Sequence, residues 1–232
     1  MKRSSTLAAM LPPSSWAAMW KGRLASAIAG GLADRRQRVA FFIAPLVAAS
    51  MYPVFHSLAG VMDDRMAWYL GLAIYWIAWG AAFPLLMLGR ESIGALIRPR
   101  RPTWRILLLL AVPLAGALAV SLMPGMGYEK QSVWILLLLL STTFGNGFFE
   151  EVLWRGVYAR LFPKSVFFGI VWPSVWFAVW HYAPGSVLHG NVAGLMIGSG
   201  VMGLYLAWLT RKTGTIWWSI VGHTLGGIIM IL

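Results

Sequence analysis

Seven long apolar runs succeed one another along this chain, and they constrain its fold more than any other feature. They cover residues 39–61, 66–88, 104–123, 132–162, 166–182, 191–209 and 215–232. A predominantly apolar stretch of about 20 residues is what a helix needs to cross the hydrocarbon core of a bilayer. A bilayer interior leaves no partner for exposed backbone groups, so such runs must be helices. The expected fold is therefore all-α: a polytopic transmembrane helix bundle of about seven spans. The fourth run departs from the others, since polar residues crowd its far end before Pro163 stops it. A polar site buried in the bilayer follows from that. Composition agrees: 59% of the 232 residues are hydrophobic and 11% are charged, whereas soluble domains carry about 25% charged residues. There is no internal repeat. The chain has no cysteine, which excludes disulfides, thiolate metal sites and cysteine nucleophiles.

The net charge of +12 comes from 19 Lys and Arg against 7 Asp and Glu. These charges sit between the apolar runs, which favours contact with anionic lipid headgroups over nucleic acid as the partner. Lys2, Arg3, Lys21, Arg23, Arg35, Arg36 and Arg38 precede the first run, and Arg90, Arg98, Arg100, Arg101 and Arg105 follow the second. Arg160 with Lys164, and Arg211 with Lys212, mark the same side after the fourth and sixth runs. The opposite side carries only Arg65 and Lys130. The positive-inside rule then places the N-terminus in the cytoplasm, of a bacterial inner membrane by the compactness of the chain. Residues 1–37 form a basic cytoplasmic segment, with a short surface helix expected near 16–28. Residues 38–232 form the transmembrane domain.

Arg155 lies apart from that pattern, inside the fourth run with Glu150 and Glu151. A charge within a span costs roughly 2.5–3.5 kcal/mol even on the mild insertion scale, so such residues face a protein interior or a wet cavity. Glu151 and Arg155 stand at i,i+4 with the acid first, the favourable order for a pair. Glu150 is rotated by about 100° from its neighbour in an α-helix. Glu151 is thus the expected partner of Arg155, and Glu150 is the carboxylate left for proton transfer. Asn146 stands one α-turn before Glu150, between Gly145 and Gly147, which let another backbone come close or loosen the helix.

Two histidines complete the set. His181 ends the fifth run and His223 is central in the seventh. Counting from the turn at 163–165, Glu150 and His181 lie roughly 21 and 25 Å along their helices, and His223 about 16 Å beyond Lys212. Three ionisable groups from three helices can therefore meet in one layer. A carboxylate with an imidazole activates water, and a second imidazole stabilises an oxyanion, which together is the chemistry of peptide hydrolysis. Glu150, His181 and His223 could instead ligate zinc. No His-Glu-x-x-His is present, so a cofactor-free enzyme is the favoured reading and zinc the alternative. His56, His189 and Asn191 receive no role.

The motifs match a known group. Glu150-Glu151-Val-Leu-Trp-Arg155-Gly156 resembles the Glu-Glu-x-x-x-Arg motif of the CPBP family, which holds type II CAAX prenyl endopeptidases and bacteriocin-processing enzymes. Phe177-x-x-x-His181 resembles its second motif, and the stretch 203–223, through Thr213-Gly214-Thr215, its closing segment. The resemblance covers about residues 130–232. It implies an intramembrane endopeptidase of the glutamic type acting on a peptide or protein substrate at the membrane. Glu150 and His181 would activate water, His223 would hold the oxyanion, and Glu151 with Arg155 would shape the site. One position departs: the family's last motif is His-x-x-x-Asn (or Asp), and residue 227 is Gly. A missing oxyanion donor costs roughly 10²–10³ in rate, and Asn146 or Thr224 is the candidate substitute. The same departure suits a second class, a non-catalytic membrane scaffold or regulator. A transporter is disfavoured, since the chain has no two similar halves.

Overall fold

The computed structural model describes residue 32 and residues 34–122, 132–188 and 190–231. The surface helix expected near 16–28 lies outside the described residues. All regular structure among those described is helical: α1 (Arg35–Ala59), α2 (Asp64–Leu96), α3 (Trp104–Ser121), α4 (Val133–Leu161), α5 (167–180), α6 (Tyr182–Val187), α7 (Val192–Thr213) and α8 (Trp217–Ile231). Local chemistry sets several starts. The Asp34 carboxylate accepts from Arg36 N while Gln37 reaches back to the Asp34 N–H, a capping box. Asp63, Thr103, Ser132 and Asn191 cap α2, α3, α4 and α7 in the same way, each accepting from the backbone N–H three residues on. Gly214 ends α7 with φ 69°, a left-handed conformation that glycine adopts without strain.

The bundle is polytopic, as expected. Five helices, α1, α2, α3, α4 and α7, are long and apolar enough to cross a membrane. The fifth and seventh apolar runs form shorter helices. α5 and α8 rise only about 21 and 22 Å, less than the hydrocarbon thickness of about 30 Å. His181 directly follows α5, and His223 lies within α8. The helix of the fifth run is interrupted at His181, which keeps right-handed helical angles (φ −65°, ψ −13°), and the chain continues as α6 through Pro184.

Contacts between helix ends put the basic residues on one face. Gln37 at the start of α1 donates to the Leu161 carbonyl at the end of α4, 2.8 Å. Thr215, before α8, donates to the Leu96 carbonyl at the end of α2, also 2.8 Å. Consecutive spans therefore alternate in direction from a face rich in arginine. α4 is the central element, packed against α2, α5, α7 and α8. Its stretch Asn146–Val157 is π-helical, with buried residues from Glu150 to Val157. α2 is π-helical over Trp76–Ala82, directly alongside it. The aromatic core beside these stretches holds Tyr75, Trp154, Tyr158, Phe177 and Trp180.

Candidate active site in the bilayer

The π-helical stretch of α4 determines how the acidic residues are displayed. Its wide turn closes through i→i+5 bonds, so neighbouring residues diverge less around the axis than in an α-helix. Glu150 and Glu151 consequently both reach one imidazole. His223 Nδ1 donates to Glu151 Oε1 at 2.9 Å, and His223 Nε2 stands 3.7 Å from Glu150 Oε2. Arg155 Nη1 lies 3.0 Å from the same Glu151 Oε1. Glu151 thus pairs with Arg155, as the i,i+4 order indicates, and also takes the proton-bearing nitrogen of His223.

Glu150 is held differently. The indole N–H of Trp180 donates to Glu150 Oε1 at 3.0 Å, while Glu150 Oε2 has no hydrogen-bond partner. Trp180 stacks on Tyr75, centroids 3.9 Å apart, and the Tyr75 hydroxyl accepts from Trp154 Nε1 at 2.8 Å. A chain of aromatic contacts from α2 and α5 therefore fixes one carboxylate oxygen and leaves the other uncommitted.

His181 follows Trp180 directly. Its Nδ1 lies 2.7 Å from the Phe177 carbonyl. A carbonyl only accepts, so Nδ1 carries the proton and Nε2 is the basic nitrogen, with no partner among the described residues. The Phe177 ring packs edge-on to His181 at 4.5 Å, presents a face to Arg155 at 4.2 Å, and meets His223 at 6.3 Å. Phe177 is the spacer around which both imidazoles and the guanidinium are arranged. Gly203 of α7 makes room for this cluster, because a Cβ there would lie 3.2 Å from Phe177 and 3.4 Å from Arg155. Access is from the histidine side: His181 and His223 are each 9% exposed, against 1% for Glu150 and 0% for Glu151.

Asn146 contacts α2. Its side-chain oxygen accepts from Trp76 Nε1 of α2 at 2.9 Å, and it makes no bond to Glu150. The flanking glycines do admit close neighbours, Gly145 the Trp76 ring and Gly147 the Thr224 side chain. Gly227 is closed off by Thr143, whose methyl would lie 2.6 Å from a Cβ at that position. The Thr143 hydroxyl is itself committed to the Leu139 carbonyl, 3.0 Å away. Among the described residues no three His, Cys, Asp or Glu side chains are grouped so as to hold a metal ion.

Trp180, Tyr75 and Phe177 are the site neighbours that a search for ionisable residues passes over. Phe177 and Trp180 had a signal in their spacing from His181. Tyr75 had none, since it belongs to a generic apolar run.

The fold and this cluster define a class: a polytopic helical membrane protein with a buried carboxylate–imidazole centre. The model of the type II CAAX prenyl endopeptidase Rce1-like family matches residues 132–229. The match spans α4 to α8 and bears out the resemblance drawn from the motifs over nearly the same residues. No curated protein and no solved structure matches the chain. Glu150, Glu151, Arg155, His181 and His223 all lie inside the matched segment, whereas Tyr75 and Trp76, which contact it from α2, lie outside.

Proposed function

We propose that this protein is an intramembrane endopeptidase that hydrolyses a peptide bond of a membrane-associated substrate with a water activated by Glu150 and His181. The observation that carries the reading is that Glu150 Oε2 and His181 Nε2 are each left without a hydrogen bond on a side chain whose other polar atom is fixed. A water between them loses its proton as it attacks the scissile carbonyl, and the proton then passes to the leaving amine. His223, its Nδ1–H held by Glu151, presents Nε2 toward the same space. In its doubly protonated form it donates from Nε2 to the oxyanion that develops. Glu151 and Arg155 act through His223 and Phe177 and do not themselves touch the reacting atoms. The N-terminus is cytoplasmic in this reading, and the substrate approaches past the two histidines.

The test is a comparison of membrane-protein termini in cells carrying the wild type, Glu150→Gln or His181→Ala. The expected result is one set of new termini present in the wild type and absent in both variants at equal accumulation. Unchanged termini overturn the hydrolase reading and leave a partner-binding role. Processing by purified protein that survives a strong chelator supports the metal-free mechanism, while loss restored by added zinc supports the metallo-type.

A further inference from the structure

A cavity of about 220 Å³ lies at the arginine-rich face, between the ends of α2, α4 and α7 and the start of α5. It is separate from the carboxylates. Leu96, Phe162 and Ala207 give it an apolar floor, and Arg160 and Arg211 line it from the ends of α4 and α7. Both arginines are exposed, and neither has an acidic partner among the described residues.

The polar groups around the cavity are already satisfied without them. The Thr210 hydroxyl bonds Ser219 at 2.8 Å, Thr213 donates to the Leu209 carbonyl at 2.8 Å, and Thr215 donates to that of Leu96. The two guanidinium groups stand in the last turns of α4 and α7, where they complement the helix dipoles, and make no hydrogen bond or ion pair among the described residues. The nearby acid Asp34 has its carboxylate occupied in capping α1. Guanidinium groups match the oxygens of a phosphate in pairs of parallel N–H bonds. Basic pockets between the ends of membrane helices suit the headgroups of anionic lipids.

We infer that this cavity is a binding site for a phosphate ester. Its anionic oxygens rest on Arg160 and Arg211, and its apolar part lies over Leu96, Phe162 and Ala207. Such a ligand bridges the end of α4 to the end of α7, five residues beyond Arg155 along α4. Two sources share this chemistry, a phospholipid headgroup of the adjoining leaflet and a soluble phosphate ester.

The experiment is native mass spectrometry of the full-length protein in detergent, with phosphatidylglycerol, with phosphatidylcholine of the same acyl chains, and with glycerol 1-phosphate. The wild type is expected to retain phosphatidylglycerol over phosphatidylcholine by about tenfold, a preference that two charge-assisted contacts can supply. Arg160→Ala/Arg211→Ala is expected to abolish the preference, and the control Arg98→Ala/Arg100→Ala to keep it. Persistence of phosphatidylglycerol against a large excess of glycerol 1-phosphate assigns the site to the lipid. Displacement at comparable concentration assigns it to the soluble ester. Equal retention of the two lipids without binding of glycerol 1-phosphate, an unchanged preference in the first double variant, or equal loss in the control overturns the proposal. Should the double variant fail to fold, the single variants Arg160→Gln and Arg211→Gln decide it, each expected to weaken retention.

Discussion

Replacing Glu151 and Glu150 in turn by glutamine should produce opposite phenotypes. Glu151 lies 3.0 Å from Arg155, and both are essentially inaccessible to solvent. At an effective dielectric constant of 20 their attraction is about 5–6 kcal/mol. Removing one partner of a buried pair costs about 3–5 kcal/mol, because the other charge stays buried without compensation. Glutamine at 151 can still accept from His223, and Arg155 keeps the Phe177 ring beneath it. The expected loss for Glu151→Gln therefore sits at the lower end, about 3 kcal/mol. For a chain of this size that lowers Tm by roughly 6–12 °C. Glu150 has no cationic partner as close, and a glutamine oxygen still accepts the Trp180 indole N–H. Glu150→Gln should change stability by less than about 1 kcal/mol and abolish hydrolysis. Thermal unfolding of both variants in one detergent, alongside a processing assay, measures the contrast. Equal destabilisation by the two changes, or an unaltered Tm for Glu151→Gln, would refute the division of the carboxylates into a structural and a reactive one.

Trp180→Phe keeps the stack on Tyr75 but removes the donor to Glu150, leaving both oxygens of that carboxylate without a hydrogen bond. It should cost about 1–3 kcal/mol in unfolding experiments and lower kcat more than it raises KM. Gly147→Ala drives a methyl into the Thr224 side chain. A loss of about 1–3 kcal/mol is expected, partly recovered by adding Thr224→Ala. Gly227→Asn, which introduces the Asn of the motif that the chain resembles, meets the Thr143 methyl. It should destabilise the protein alone and be tolerated with Thr143→Ala, a non-additivity that a double-mutant cycle reads directly.

Two i,i+4 relations in the π-helical stretch of α4 have different outcomes. The Glu151–Arg155 pair survives because long side chains bridge a modest change in rotation. Asn146, at the same spacing from Glu150, has its side-chain oxygen taken by the Trp76 indole of α2 instead. Depth along the bilayer was legible for His223, since rise per residue and turn positions bring it to Glu150 from seventy residues away. Tyr75 was not legible. Its role depends on a stacking partner in α5 and on the Trp154 indole, and an apolar run gives no hint of either.

What the sequence by itself determined is the architecture and the choice of chemistry. Apolar run length dictates helices that must satisfy their own backbones in lipid, and charges too costly for a span stand out against that background. What only the tertiary structure decided is which atoms remain available. Trp180 takes one oxygen of Glu150, and Glu151 takes one nitrogen of His223. Hydrogen bonds are short-ranged and directional. Their partners are therefore set by helix width, rotation and side-chain packing between α2, α4, α5 and α8, which no one-dimensional pattern encodes.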